Sequence, residues 1–313
     1  MITNTMNKFI IPLKWQAAIW NVLSCMCFAG INGIVRYLTG GSPIANEEPL
    51  PVYVIMFFQN AFGSLFMLPL LLQTGISDLR SSYQSLHLLR VAMAIGGIGV
   101  WYLSLYYMPI TQGIALSFTG PIMTVIAAKF ILDESIDLRR GTALLVCFIG
   151  AFIVMRPDLS LFGNASDSIG WYALLPLLSA ALISGTKILA RKLAGYGESA
   201  KTLTTYLLVL MTPVSLIPAL FTWVTPSLWH WKWLLLMGLL ASGAHYSFSK
   251  CCTSAEIVFT TPFGFSKILL GAAVGFFAFG EFTSAWTVWI GAAILFSSTI
   301  ILAYPSKEKL RSV

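Results

Sequence analysis

The stretch PIMTVIAAKFILDE, from Pro121 to Glu134, decides how this sequence folds, because its pattern recurs. An apolar run ends in a glutamate, a short polar turn follows, and a second apolar run, GTALLVCFIGAFIVMRP, ends at Pro157. The counterpart is KILLGAAVGFFAFGE, from Lys267 to Glu281, followed by WIGAAILFSSTIILAYP, which ends at Pro305. The two glutamates are 147 residues apart in a chain of 313 residues. The sequence therefore predicts two copies of one structural unit.

The composition indicates that both units lie in a membrane. The chain is 57% hydrophobic and 10% charged, whereas an ordinary soluble domain has about 25% charged residues. Each apolar run has about 20 residues, the length that a helix needs to cross a hydrocarbon core roughly 30 Å thick. We therefore expect an all-α integral membrane protein with two units, residues 15–157 and residues 170–305.

Ten transmembrane helices are expected, five in each unit. Because five is an odd number, the second unit should be inverted relative to the first, an arrangement that recurs in secondary transporters. The predicted spans are Trp15–Leu38, Pro51–Gln73, Leu88–Tyr107, Ile110–Leu132, Gly141–Met155, Gly170–Ala190, Thr202–Trp223, Trp231–Lys250, Ala255–Phe279 and Ser284–Tyr304.

The lysines and arginines predict the orientation, because cytoplasmic loops carry an excess of positive charge. With the N-terminus inside, thirteen of these residues lie on the cytoplasmic side, and three, Arg36, Arg156 and Lys232, lie outside. Both termini are therefore expected in the cytoplasm, with Glu134 on the inner face and Glu281 on the outer face. This topology explains the net charge of +7, which needs no nucleic-acid partner.

Two long stretches carry a resemblance to a known family. WYLSLYYMPITQGIALSFTGPIMTVIAAKFILDESI (Trp101–Ile136) and TPFGFSKILLGAAVGFFAFGEF (Thr261–Phe282) resemble the EamA family of the drug/metabolite transporter superfamily. The most similar subgroup is that of the bacterial S-adenosylmethionine uptake transporters, and related carriers move amino acids, nucleotide-like metabolites, riboflavin and drugs. The resemblance implies two inverted five-helix repeats around a central cavity. It also implies alternating access without ATP hydrolysis, in the bacterial inner membrane.

Polar and aromatic side chains deep in the spans are the candidates for that cavity, because polar groups avoid hydrocarbon. The resemblance would place spans one, three, four, six, eight and nine around it. The aromatic side chains would stack on a flat substrate, the amides and hydroxyls would bind its polar edges, and a lysine would meet its anionic group. The predicted substrate-binding residues are Asn21, Asn32, Trp101, Tyr102, Tyr106, Ser117, Thr119, His245, Tyr246 and Lys267.

Three lysines fall within predicted spans. Lys129 and Lys187 lie near inner ends, where a lysine side chain can reach the headgroup zone. Lys267 lies near the middle of span nine, where a charge is costly unless it is hydrated or paired. Two interpretations fit Lys267: contact with an anionic substrate group, or a structural bond to carbonyls left open by Pro262.

Two prolines and two glutamates complete the candidates. Pro121 and Pro262 each remove a backbone donor within a span, and their similar contexts, FTGP and FTTP, indicate a gating role. Glu134 and Glu281 are expected at helix ends that face water, where they can cap the following helix. A proton-coupling role for these carboxylates is the alternative, and His245 suits either proton coupling or a satisfied place in the core.

Several functions are excluded by motif. The chain has no Walker A sequence, HExxH, CxxC or GxSxG, and its five cysteines do not suggest a disulfide framework. We therefore expect a secondary transporter with no cofactor and no metal, whose partners are the lipid bilayer and a small metabolite, with proton or substrate exchange as coupling. An amphipathic molecule with a heterocycle and a carboxylate fits, and S-adenosylmethionine is a candidate. An exporter of amino acids or drugs, or a membrane enzyme acting on a lipid-linked substrate, are the alternatives.

Overall fold

The structure is a computed structural model that describes most of the chain. It describes residues 12–40, 48–74, 81–107, 116–117, 119–155, 172, 174–280, and positions 290, 293, 294, 297, 298 and 301. These residues form helices and connecting loops, with no β-strand among them. The expectation of an all-α protein is confirmed for this part of the chain. Span ten, Ser284–Tyr304, lies mostly outside the described residues.

Helices occur at the first nine predicted spans. We number them α1 (Leu13–Leu38), α2 (Val52–Thr74), α3 (Gln84–Tyr107), α4 (Thr119–Leu132), α5 (Leu138–Met155), α6 (Leu174–Gly195), α7 (Ala200–Phe221), α8 (Leu228–Ser254), α9 (Ile257–Thr260) and α10 (Ser266–Phe279).

Among the residues that the structure describes, five helical segments are long and apolar enough to cross a membrane, judged by length and composition. They are Leu13–Leu38, Val52–Leu70, Leu174–Gly195, Ala200–Phe221 and Ile257–Phe279. Local chemistry sets several of the helix starts. Ser199 caps α7 by accepting a hydrogen bond from the Thr202 N–H at 3.1 Å, and Asp137 accepts one from the Arg140 N–H at the start of α5.

Glycines allow the closest helix contacts of the bundle. α1 packs against α8, α2 against α7 and α8, and α6 against both α3 and α4. At the contact of α2 with α8, a Cβ added to Gly238 would lie 2.9 Å from the carbonyl carbon of Phe62 and 3.1 Å from the Gly63 nitrogen. In GGIGV, a Cβ on Gly97 would lie 2.8 Å from Ile183 of α6. The backbones therefore approach more closely than side chains would permit.

The ninth predicted span is broken in its middle. A 3₁₀ turn, Thr261–Phe265, separates α9 from α10 and contains Pro262. The expected local opening at this proline is confirmed. Carbonyl groups at the break accept hydrogen bonds from neighbouring helices. Asn21 Nδ2 donates to the Thr260 oxygen at 2.7 Å, and the Cys25 and Cys147 thiols donate to the carbonyl oxygens of Gly264 and Pro262, respectively.

Pro121 has a different setting. It is the third residue of α4, and the first turn of a helix tolerates proline because its N–H groups have no intrahelical acceptor. The described residues thus show a break at one of the two predicted gating prolines, while a gating role for either residue stays a prediction.

Candidate functional site

A cavity of about 100 Å³ lies between α1, α4, α6, α8 and the broken span. Each of these elements contributes to its wall, and the 3₁₀ turn contributes the most. The lining residues are Asn21, Pro121, Lys187, Phe248, Ile257, Thr260, Thr261, Gly264 and Phe265. Two of them, Asn21 and Pro121, are among the residues predicted to bind substrate or to gate.

One face of α1 runs along this interior. Asn21, Cys25, Phe28 and Asn32 follow one another at intervals of four, three and four residues, so they share a face of the helix. Asn21 is buried, and Asn32, three turns further on, is exposed. The face therefore leads from the cavity toward an open part of the structure.

Phe28 joins two predicted site residues that lie on different helices. Its ring meets the His245 ring of α8 edge to face, with centroids 5.3 Å apart. The Nζ atom of Lys267 lies 5.5 Å from the centre of the same ring, within the range of a cation–π interaction. Phe28 was not predicted as a site residue, although its spacing from Asn21 and Asn32 is the signal that could have identified it.

Lys267 occupies the centre of the broken span, as predicted. It is the eleventh of the 23 residues of Ile257–Phe279, and its side chain is exposed. The carbonyls at Thr260, Pro262 and Gly264 are bound by Asn21 and two cysteines. Proline leaves open the carbonyl four residues before it, here that of Val258, so these contacts do not decide between the two interpretations of Lys267, and both stay predictions.

Lys187 does not lie where the sequence predicted it. The sequence predicted that its side chain would reach the headgroup zone, but it lines the cavity. Lys267, in contrast, is not among the residues that line the cavity. The site is therefore a cavity with one lysine in its wall, Lys187 of α6.

A buried carboxylate binds the backbone of a residue in the cavity wall, Ile257. Glu134, which follows α4, is 6% exposed. Its Oε1 and Oε2 atoms accept hydrogen bonds from the backbone N–H groups of Ile257 and Val258, each at 2.9 Å. Arg191 Nε of α6 donates to the same carboxylate at 3.1 Å, and its Nη1 donates to the Cys252 carbonyl oxygen. We call this side of the bundle the Glu134 end.

This geometry corrects the prediction for Glu134. The carboxylate was expected to face water and to cap the next helix, but Asp137 caps that helix. Glu134 instead caps α9, 123 positions later in the chain. The negative charge of the Glu134 carboxylate interacts favourably with the partial positive charge at the N-terminus of α9. Because Ile257 also lines the cavity, the cap is directly bonded to a residue of the cavity wall. Glu281 lies outside the described residues.

Comparison with known proteins assigns the family. The EamA-like transporter family matches residues 15–156. The chain is also 33% identical over 286 residues to the riboflavin transporter of Rhizobium johnstonii, which covers 91% of this chain and 90% of that protein. The chain belongs to the EamA-like transporter family. It is a membrane transporter of small molecules and not an enzyme.

Other members of the EamA-like family are similar along most of the chain. The S-adenosylmethionine uptake transporter of Rickettsia prowazekii is 28% identical over 260 residues, covering 83% of this chain and 85% of that protein. The pseudopaline exporter CntI of Pseudomonas aeruginosa is 25% identical over 290 residues, covering 91% and 95%. A crystal structure with 13% identity superposes with a TM-score of 0.72 over 91% of this chain and 94% of that one, which shows a shared fold.

The other predicted site residues of this EamA-like transporter whose side chains the structure describes are not among the residues that line the cavity. Trp101, Ser117 and Thr119 are half-buried, and Thr119 donates its hydroxyl to the Leu116 carbonyl at 2.8 Å. Tyr246 meets the Trp20 ring edge to face at 6.3 Å. The side chains of Tyr102 and Tyr106 lie outside the described residues. Substrate contact by any of these residues stays a prediction.

Proposed function

We propose that the protein is a secondary transporter that moves a small heterocyclic metabolite with an anionic group across the bacterial inner membrane by alternating access. The observation that carries this proposal is the cavity, which has residues from both predicted units in its wall. Asn21 and Pro121 belong to the first unit, and Lys187 and Gly264 to the second. A substrate site between two repeats is typical of secondary transporters.

The proposed architecture is ten helices in two inverted repeats, with both termini in the cytoplasm. Two related contacts support it. Gly30 of α1 packs on Leu240 of α8, and Gly185 of α6 packs on Met93 of α3. Met93 and Leu240 are 147 residues apart, the same offset that separates the two glutamates of the sequence repeat. The contact of spans one and eight thus has a counterpart in the contact of spans six and three.

The substrate class rests on the relatives and on the side chains near the cavity. Riboflavin and S-adenosylmethionine, named for two of the relatives, both contain a flat heterocycle. In our proposal, Trp101, Tyr102 and Tyr106 stack on such a ring, while Asn21, Asn32, Ser117, Thr119 and Tyr246 bind polar edges. Lys267 meets the anionic group. S-Adenosylmethionine has an anionic group, its carboxylate, and also a sulfonium cation, whereas riboflavin is an uncharged heterocycle. Testing both therefore separates recognition of the ring from recognition of the charge.

The Glu134 cap supplies a gate for alternating access. A closed gate needs contacts that hold helices together at one face and can be exchanged for others. Glu134 ties α4 to α6 and α9, and the apolar side chains of Val125, Ile188 and Val258 pack beside it. We propose that this contact opens toward the cytoplasm, that the broken span bends at Pro262 between α9 and α10, and that proton or substrate exchange drives the cycle.

Reconstitution tests the proposal. Purified protein in liposomes is supplied with radiolabelled riboflavin, S-adenosylmethionine and leucine in separate assays, with protein-free liposomes as the control. Saturable entry of a heterocycle, with little entry of leucine, is the expected result. Entry of leucine alone would replace the proposal with an amino acid carrier related by fold. No saturable flux of any of the three would overturn the assigned substrate class.

A further inference from the structure

Phe28 places an aromatic ring beside a lysine near the middle of the bundle. The Nζ atom of Lys267 lies 5.5 Å from the centre of this ring, and the His245 ring meets it edge to face at 5.3 Å. The ion pairs between described residues involve histidine and arginine, so no carboxylate among those residues lies within 4.0 Å of the Lys267 ammonium group. The contact with the Phe28 ring therefore offsets part of the cost of a charge within the span.

The surroundings of this ring contain water. Lys267 and Asn32 are both exposed, although each lies within an apolar span. Asn32 shares the face of α1 that carries Asn21 and Phe28. The exposed apolar side chains of α1 lie roughly 120° around the helix from that face: Ile19, Val22 and Met26. Because ammonium and amide groups avoid hydrocarbon, the space beside Phe28 is an aqueous vestibule and not a lipid contact.

We propose that Phe28 is a substrate-binding residue that changes partners when the substrate enters. In the empty protein its ring lies beside the Lys267 ammonium group. When a molecule with a flat heterocycle and an anionic group binds, the ammonium group turns to the anion and the heterocycle stacks on the ring. The inference rests on the proposed function and deepens it, because it names the residue that selects for the ring and links ring recognition to charge recognition.

The exchange favours a molecule that carries both groups. A charge-assisted hydrogen bond from an ammonium group to an anion is stronger than an exposed cation–π contact, so an anion can draw Lys267 away from the ring. A heterocycle without an anion has to displace the ammonium group and leaves it unpaired. An anion without a heterocycle leaves the apolar ring in water. The edge-to-face contact with His245 keeps the Phe28 ring in place during the exchange.

Riboflavin tests the ring contact, because it has the heterocycle without an anionic group. Its dissociation constant is measured by flavin fluorescence with the full-length protein in detergent. Phe28→Leu should weaken binding by about 5- to 100-fold, the loss expected when a stacking contact is removed. Phe28→Tyr retains the ring and should bind like wild type. Lys267→Met removes the cation that lies beside the ring, so it should bind riboflavin at least as tightly as wild type.

Phe57→Leu is the matched control. Phe57 and Phe28 are both half-buried, and both pack against the same cluster of buried residues. Phe57 also meets an aromatic ring, that of Phe58, at 5.1 Å. Its replacement should therefore disturb the fold about as much as Phe28→Leu and leave riboflavin binding unchanged. Equal riboflavin affinity of the two folded leucine variants would overturn the role of Phe28 and leave heterocycle transport intact.

Riboflavin 5′-phosphate tests the exchange of partners, because it adds an anionic group to the same ring. Wild type should bind it more tightly than riboflavin by about tenfold, and Lys267→Met should lose this preference. Phe28→Leu should keep the preference, because its lysine has no ring contact to give up. Loss of the preference in folded Phe28→Leu would show that the ring only positions Lys267, and equal binding of the two flavins by wild type would rule out the exchange.

The vestibule is tested without any substrate. In a chain without native cysteines, a small water-soluble thiosulfonate reagent should modify Asn32→Cys at least roughly tenfold faster than Ile31→Cys, because Ile31 is 4% exposed and thiolates react where water reaches them. Equal rates would remove the aqueous route to Phe28, even for a protein that transports heterocycles. No binding of riboflavin, adenosine or S-adenosylmethionine to folded wild type would instead overturn the proposed substrate class, and the role of Phe28 with it.

Discussion

The guanidinium Nε of Arg191 and the carboxylate of Glu134 lie 3.1 Å apart, although the two residues are 57 positions apart in the chain. Their pairing leaves the carboxylate with two further acceptor positions, which bind the N–H groups of Ile257 and Val258. The Glu134 carboxylate thus pairs with a cation and accepts hydrogen bonds from a helix N-terminus. These contacts offset the cost of burying its charge. The ends of α4 and α6 and the start of α9 therefore depend on a single charge.

Replacement of that charge should loosen the Glu134 end. Glu134→Gln keeps the size of the side chain but offers one acceptor oxygen where there were two, and it leaves Arg191 without an anion. We expect the free energy of unfolding to fall by about 1–3 kcal/mol, measured by SDS titration with tryptophan fluorescence. Asp133→Asn is the control, because Asp133 is exposed and its φ of 53° suits asparagine.

The reactivity of two buried thiols shows whether the loss of stability is confined to the Glu134 end. Cys252 is buried near Arg191, while Cys147 is buried beside Phe265. Glu134→Gln should increase maleimide modification of Cys252 and leave that of Cys147 unchanged. Equal stability and equal thiol reactivity in the glutamine variant and in Asp133→Asn would show that the cap does not hold this end.

A second prediction concerns the contact of α2 with α8. Gly238→Ala places a methyl group against the backbone of Phe62 and Gly63, and backbone atoms cannot move aside as a flexible side chain can. The variant should lose about 1–3 kcal/mol of stability, the usual cost of overpacking, seen as a lower thermal unfolding temperature. Gly141→Ala, at a position where a Cβ meets nothing within 4 Å, should unfold like wild type.

The sequence predicted the elements that depend on local chemistry. The length of each apolar run predicted a helix at each of the first nine spans, and apart from the start of span four the predicted ends lie within about five residues of the described ones. Pro262 predicted the break in span nine, because proline removes a backbone donor. The position of Lys267 near the middle of span nine was predicted in the same way, by counting residues along the span.

Contacts between distant segments were not predictable from the sequence. The sequence indicates only that Glu134 lies near a helix end, because the N–H groups that donate hydrogen bonds to it are more than 120 positions away in the chain. Lys187 is one turn before Arg191 and near a helix end, so its place in the cavity depends on how α6 packs against α4 and α8. Phe28 is one apolar residue among many in its span, and its role is defined by His245 and Lys267, which come from other helices.

Stacking makes a third prediction. If the Trp101 ring contacts the heterocycle, Trp101→Ala should weaken its binding by about 1–3 kcal/mol, as base–aromatic stacks do. Trp223→Ala is the control, because Trp223 packs on Phe57 and Phe58 at the end of the bundle opposite Glu134. Flavin fluorescence titration measures both variants. An equal loss of affinity in the two variants would remove Trp101 from the site.

Orientation is tested by labelling from one side of the membrane. In a chain without native cysteines, Ser135→Cys marks the Glu134 end and Thr222→Cys marks the opposite end, and both positions are exposed. The excess of cytoplasmic lysine and arginine predicts that a membrane-impermeant maleimide labels position 222 in intact spheroplasts and position 135 only after permeabilisation. The reverse pattern would invert the proposed topology.

Filling the cavity is the most direct test of its role. Gly264 lines the cavity, and a Cβ added there meets no atom within 4 Å, so Gly264→Leu should occupy the space without displacing the surrounding helices. Its thermal unfolding temperature should therefore stay close to that of wild type, while substrate flux into liposomes should fall by at least roughly tenfold, because a side chain now stands where the substrate group would bind.

Gly141→Leu provides the matched control for this substitution. It adds the same side chain at a glycine that also has open space around its Cβ position, but Gly141 lies at the start of α5 and is not part of the cavity wall. We expect it to transport like wild type. Full transport by a folded Gly264→Leu variant would mean that the substrate bypasses this cavity, and an equal loss in both variants would mean that the effect comes from the added leucine itself.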